Sequence, residues 1–134
     1  MTFDKLNGEN VYIAGPMTGR ANWNIEAFAE CELVLREAGV AMVFNPATRD
    51  SVERYECGEV SRTELMHIDM FNLLRSTALV LLPGYASSAG ARVEFLVAAE
   101  CGLRIFYWSA NDGEFYEFPR EHIERIYDLI NRRF

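Results

Sequence analysis

The stretch Ala78-Leu79-Val80-Leu81-Leu82-Pro83-Gly84-Tyr85-Ala86-Ser87-Ser88-Ala89-Gly90-Ala91-Arg92-Val93-Glu94 decides the fold. Its first five residues are continuously apolar, as expected of a parallel strand covered on both faces. A small-residue loop follows. From Gly90 to Cys101 the sequence reads as an apolar helix, with Phe95, Val97, Ala98 and Ala99 as packing residues and Gly102 as its stop. Glu94 thus falls on the first or second turn of a helix, beside a loop at the carboxyl end of a strand. Ligands of open α/β sheets bind there, because a helix amino end offers free N–H groups and a favourable dipole.

Outward from this unit, strand and helix patterns alternate. Val11-Tyr12-Ile13-Ala14 is a β-prone run closed by the turn signal Gly15-Pro16. A helix is predicted from about Asn24, with Ile25, Phe28, Ala29, Leu33 and Leu35 as its apolar positions and Gly39 as its stop. Val40 to Phe44 reads as the second strand. The polar segment from Ala47 to Val60 has no clear period and is read as a functional loop or the seat of a short helix. Ser61 with Glu64 forms a capping-box pattern at the head of a helix carrying Leu65, Ile68, Met70, Phe71, Leu73 and Leu74 and ending near Ser76. Arg104 to Trp108 is the fourth strand, and a fifth is missing or forms from residues 109–118. Pro119 opens a last helix striped by Ile123, Ile126, Tyr127 and Ile130. Right-handed crossovers then give an α/β three-layer sandwich, a single domain over 1–134 with a parallel sheet of four or five strands.

Composition narrows the function classes. A chain of 134 residues, half of them apolar, suits one domain with a true core. Met1-Thr2-Phe3-Asp4 does not open a signal peptide, and no run approaches the roughly 20 apolar residues of a membrane span, so a cytoplasmic protein is expected. The net charge of -7 disfavours nucleic-acid polymers while leaving small nucleotides open. Cys31, Cys57 and Cys101 form no CxxC pair, and only His67 and His122 accompany them, which speaks against structural zinc. Cys31 and Cys101 are read as small buried helix residues, Cys57 as an exposed one.

Two loops and two carboxylates carry the chemistry. Gly15, Met17, Thr18, Gly19 and Arg20 leave the first strand as a small-residue loop that could admit a phosphate or sugar, although the same glycines also suit a plain turn. It is neither a GxGxxG fingerprint nor a P-loop. Arg20 is a candidate for a charged substrate group or a solvent-facing residue. Asp69, among Ile68, Met70 and Phe71, lies either at the solvent boundary of its helix or in the crevice near Glu94. Ser87, Ser88 and Gly90 open the helix of Glu94, where the hydroxyls could hold a 5′ group or act as N-caps. Tyr12 could orient a carboxylate or pack in the core. Paired carboxylates suit glycosidic-bond chemistry: one attacks the anomeric carbon while an acid assists the leaving group.

Together, Tyr12-Ile13-Ala14-Gly15-Pro16-Met17-Thr18-Gly19, Phe44-Asn45-Pro46, Asp69, Leu82-Pro83-Gly84 and Ser88-Ala89-Gly90-Ala91-Arg92-Val93-Glu94 resemble the nucleoside 2-deoxyribosyltransferase superfamily, most closely its small phage and bacterial branch. The resemblance implies a flavodoxin-like sheet, a homodimer or higher oligomer, Glu94 as nucleophile, and Asp69 and Tyr12 as its partners. In relatives that hydrolyse deoxynucleoside 5′-monophosphates, the phosphate-binding serine falls on Ser88. The chain departs from true transferases by having Tyr85, Ala86 and Ser87 where they carry an acidic cluster, and by lacking a secure counterpart of their carboxy-terminal asparagine.

The expected function is cleavage of, or deoxyribosyl transfer at, the N-glycosidic bond of a deoxynucleoside or its 5′-monophosphate. It needs no metal and no organic cofactor. The competing expectations are a non-catalytic nucleotide binder using the same crevice, and a structural subunit assembling through Trp23, Phe115 or Phe134.

Overall fold

Alternation along the strands builds two cores, one on each face of a single sheet. The structure, a computed structural model, describes residues 5–131; Met1 to Asp4 and Phe134 lie outside that range. Strand β1 (Asn10–Ala14) is followed by α1 (Ile25–Glu37), β2 (Met42–Phe44), α2 (Arg49–Glu56) and α3 (Arg62–Leu74). Then come β3 (Ala78–Leu81), α4 (Ala89–Glu100), β4 (Arg104–Ser109), β5 (Glu114–Glu117) and α5 (Arg120–Asn131). Val11 and Ile13, Val80 and Leu82, and Phe106 and Trp108 point to the α1 side, where they meet Phe28, Cys31 and Leu35. Tyr12 and Ala14, Leu79 and Leu81, and Ile105 point the other way and pack against Leu73, Phe95, Ala98 and Ile123 of α3, α4 and α5. The result is the expected α/β three-layer sandwich.

The sheet order is β2-β1-β3-β4-β5, the flavodoxin-like order. The first four strands are parallel, with Tyr12 level with Leu79 and Ala14 with Leu81. Strand β5 forms from the 109–118 region and pairs antiparallel with β4, Phe115 opposite Trp108. A tight turn, with Gly113 at φ 69°, joins these two strands and leaves no room for a crossover helix. Because β1 and β3 are neighbours whose following helices lie on opposite faces, a crevice opens at their carboxyl ends.

Several local expectations change. The second strand starts at Met42 instead of Val40, and the polar segment holds α2, capped by Thr48. On α1 the buried stripe is Ile25, Phe28, Cys31 and Leu35; Leu33, half a turn away, is exposed, as is Ala29. Cys101 caps the end of α4 in solvent and is not a buried helix residue. Phe115 is buried against Trp108, with ring centroids 4.6 Å apart, so it cannot serve assembly. Trp23 is half-buried beside Tyr55. Among the described residues, no helix is long and apolar enough to cross a membrane.

The connection into α1 is unusual. Asn22, Trp23 and Asn24 all have positive φ, 52°, 56° and 63°, so the predicted helix start is a left-handed turn. Such a turn costs roughly 1–2 kcal/mol per residue for L side chains, least for asparagine. Specific contacts hold it: Asn24 Nδ2 donates to the Pro16 carbonyl at 2.9 Å, and Trp23 Nε1 donates to Glu56 Oε2 at 3.1 Å.

Candidate active site

Helix α4 begins with Ser88 as N-cap, its hydroxyl accepting from the Ala91 N–H at 3.2 Å. This fixes the first turn and swings Glu94, two turns from the cap, over the end of β1. There the buried Tyr12 hydroxyl donates to Glu94 Oε2. Phe44 stacks on the Tyr12 ring at 5.2 Å and fixes its direction. The expected orientation of a carboxylate by Tyr12 is what the fold provides.

Glu94 faces a small pocket of ≈ 90 Å³, below the roughly 300–1,000 Å³ of a site that encloses a drug-sized ligand. Gly15, Met17 and Pro46 form one side, Gly90 and Ala91 another. The third wall is the α3 face of Arg62, Leu65, Met66 and Asp69. Asp69 therefore lies in the crevice with Glu94, not at a distant solvent boundary. Gly15 is needed for close packing: a Cβ there would come within 2.8 Å of Leu82 Cβ.

The electrostatics separate the two acids. Burial pushes the Glu94 carboxyl up to about 8; the Tyr12 hydrogen bond opposes this, Asp69 adds to it and Arg62 opposes it. Burial likewise lifts Asp69 to about 6, against a smaller opposing pull from Arg62. Desolvation, Glu94 and Asp69 hold Tyr12 well above the usual phenol range, so it remains a donor. At neutral pH the pair carries one proton, held mainly by Glu94. Such a pair has both an acid and a base available.

Of the sequence-predicted residues, Glu94, Asp69, Gly15, Met17 and Gly90 line this pocket, and Tyr12 supports it from beneath. Thr18, Gly19, Arg20, Ser87 and Ser88 do not line it. The Arg20 guanidinium lies over Gly84, with Nη2 2.5 Å from where a Cβ would stand. Ser87 Oγ donates to the Gly84 carbonyl at 2.9 Å, and Ser88 is the cap already described. Arg62, Leu65, Met66, Pro46 and Ala91 were missed. The signal existed for three of them: positions 62, 65, 66 and 69 share one helical face. Among the described residues, no group of three or more His, Cys, Asp or Glu is placed to hold a metal ion.

A family model described as a domain of unknown function (DUF4406) matches residues 9–107. The chain belongs to this family. No curated protein matches the chain. The DUF4406 span runs from the residue before β1 into β4 and includes every residue that lines the pocket. Strand β5 and helix α5 lie beyond it.

Proposed function

We propose that this protein cleaves the N-glycosidic bond of a deoxynucleoside or its 5′-monophosphate, by hydrolysis or by transfer to a second base. The observation that carries this reading is the meeting of Glu94 and Asp69 in one pocket, with the Tyr12 hydroxyl on the Glu94 carboxyl. A Glu94 oxygen attacks C1′ and forms a glycosyl ester. The C1′–N bond breaks, its electron pair passes to the base nitrogen, and an acid supplies the proton. Attack needs Glu94 ionised and a proton on its neighbour. Moving the single shared proton from Glu94 to Asp69 produces that state without changing the charge of the pocket. Water, or the nitrogen of another base, then displaces Glu94 from C1′.

Likeness to the nucleoside 2-deoxyribosyltransferase superfamily supports the same reading and suggests a homodimer or higher oligomer. Ile68, Phe71 and Leu74, all exposed on α3 beside the pocket wall, offer an apolar surface for it. Sedimentation showing a lone protomer at working concentrations would remove that part.

The function is tested by incubating the protein with each deoxynucleoside and monophosphate, with and without an acceptor base. Base release is expected, falling about 10³-fold or more in Glu94→Gln. Release that persists unchanged in that variant would refute the nucleophile. The loop after β3 favours a second reading, a nucleotide binder without turnover. Tyr85 packs near Tyr107, Ser87 turns to Gly84, and this loop sends no carboxylate into the pocket. Saturable calorimetric binding with no base released over long incubation would select it.

A further inference from the structure

We infer that Arg62 is the anion-receiving residue of the pocket, and that it selects substrates bearing a phosphate monoester; this rests on the glycosidic reading above. Among the described residues, Arg62 is the one cation that lines the pocket. It occupies the first position of α3, and Asp69 follows two turns later on the same face, about 10 Å along the axis. Both Asp69 and Glu94 feel its charge. Among the described residues, however, it forms no ion pair with either. Arg62 is exposed, and among the described residues no side-chain hydrogen bond or ion pair engages its guanidinium.

The other side chains expected to meet an anion lie outside the lining of this pocket. Arg20 covers Gly84, and the Ser87 and Ser88 hydroxyls serve the local backbone. The amino end of α3 is partly capped. Ser61 Oγ accepts from the Glu64 N–H at 3.1 Å, and Glu64 Oε1 accepts from the Ser61 N–H at 3.0 Å. Among the described side chains that line the pocket, Arg62 is therefore the cationic donor available to an anion.

Substrate geometry fits this division. In a deoxynucleoside 5′-monophosphate, C1′ and the 5′ carbon lie on opposite sides of the ring oxygen. With C1′ at Glu94, a 5′ phosphate lies beyond the sugar ring, repelled by the two carboxyls and attracted by the Arg62 guanidinium. A planar guanidinium can grip two phosphate oxygens at once, which an ammonium cannot do.

Calorimetric titration of wild type, Arg62→Ala and Arg62→Lys with a deoxynucleoside 5′-monophosphate and with its parent deoxynucleoside tests the assignment. Wild type is expected to bind the monophosphate about 10–100-fold more tightly than the nucleoside. Arg62→Ala should abolish that advantage and Arg62→Lys should retain part of it. An advantage that survives in Arg62→Ala, or its absence from wild type, overturns the assignment. Each titration is repeated in the Glu94→Gln background, where binding is read without turnover, so the two readings fail separately. A protein that prefers the monophosphate through Arg62 but releases no base refutes the reaction and keeps this inference. Base release equally fast from both ligands in wild type and Arg62→Ala does the reverse.

Discussion

A carboxyl group that must hold a proton at one moment and attack at the next needs surroundings intermediate between water and a dry core. Glu94 has them: burial lifts it to about 8, while the Tyr12 hydroxyl and Arg62 pull it back. Asp69, lifted to about 6, completes a pair that carries one proton between those two values. Below about pH 6 both acids are protonated and the nucleophile is lost; above about pH 8 neither can protonate the leaving base. The pH profile of kcat/KM should therefore be a bell centred near neutrality. Tyr12→Phe removes a hydrogen bond that favours the ionised form of Glu94, so its alkaline limb should move to higher pH. A limb that stays in place would mean that Tyr12 only packs. Both acids and Tyr12 were legible in the sequence because a charge or phenol amid apolar neighbours is conspicuous. Arg62 was not: beside Ser61 and Glu64 it looked like part of a helix start.

Element by element, the fold follows from where apolar residues run continuously and where they alternate. The parallel strands announced themselves through Val11 to Ala14 and Ala78 to Leu82, which are buried on both faces. Strand β5, Glu-Phe-Tyr-Glu, did not, since a short edge strand with charged ends carries little signal. Helix α2 was equally faint, because only Val52 of its eight residues is buried. The left-handed turn at Asn22–Asn24 gave no warning either; tertiary contacts to Pro16 and Glu56 impose it. The junction of β1 and β3 yields a direct test. Gly15→Ala would press a methyl group against Leu82 and should destabilise the protein by about 1–3 kcal/mol, measured by denaturant unfolding. Unchanged stability would show that β1 and β3 separate more easily than their packing suggests.

For the whole molecule, an active site with two raised acids has a stability consequence. Folded Glu94 and Asp69 bind protons more tightly than their unfolded counterparts, so the unfolded chain holds fewer protons across this window. Their contribution is complete at acid pH and is lost as pH rises through the folded values. Thermal unfolding should shift downward by several degrees between about pH 5 and about pH 8.5. Glu94→Gln should flatten most of that slope. The depressed acids Glu64, Asp112 and Glu117 act in the opposite sense, below that window. A slope of the same size in Glu94→Gln would place its origin elsewhere.

The central claim is that Glu94 and Asp69 meet as a pair sharing one proton at neutral pH. Carbon-13 titration of the side-chain carboxyls, in wild type and in Glu94→Gln, tests it most directly. One glutamate titrating near pH 8 and one aspartate near pH 6, with the glutamate transition absent from the variant, is the expected result. If every carboxyl titrates below about pH 5, as unperturbed side chains do, the claim is contradicted.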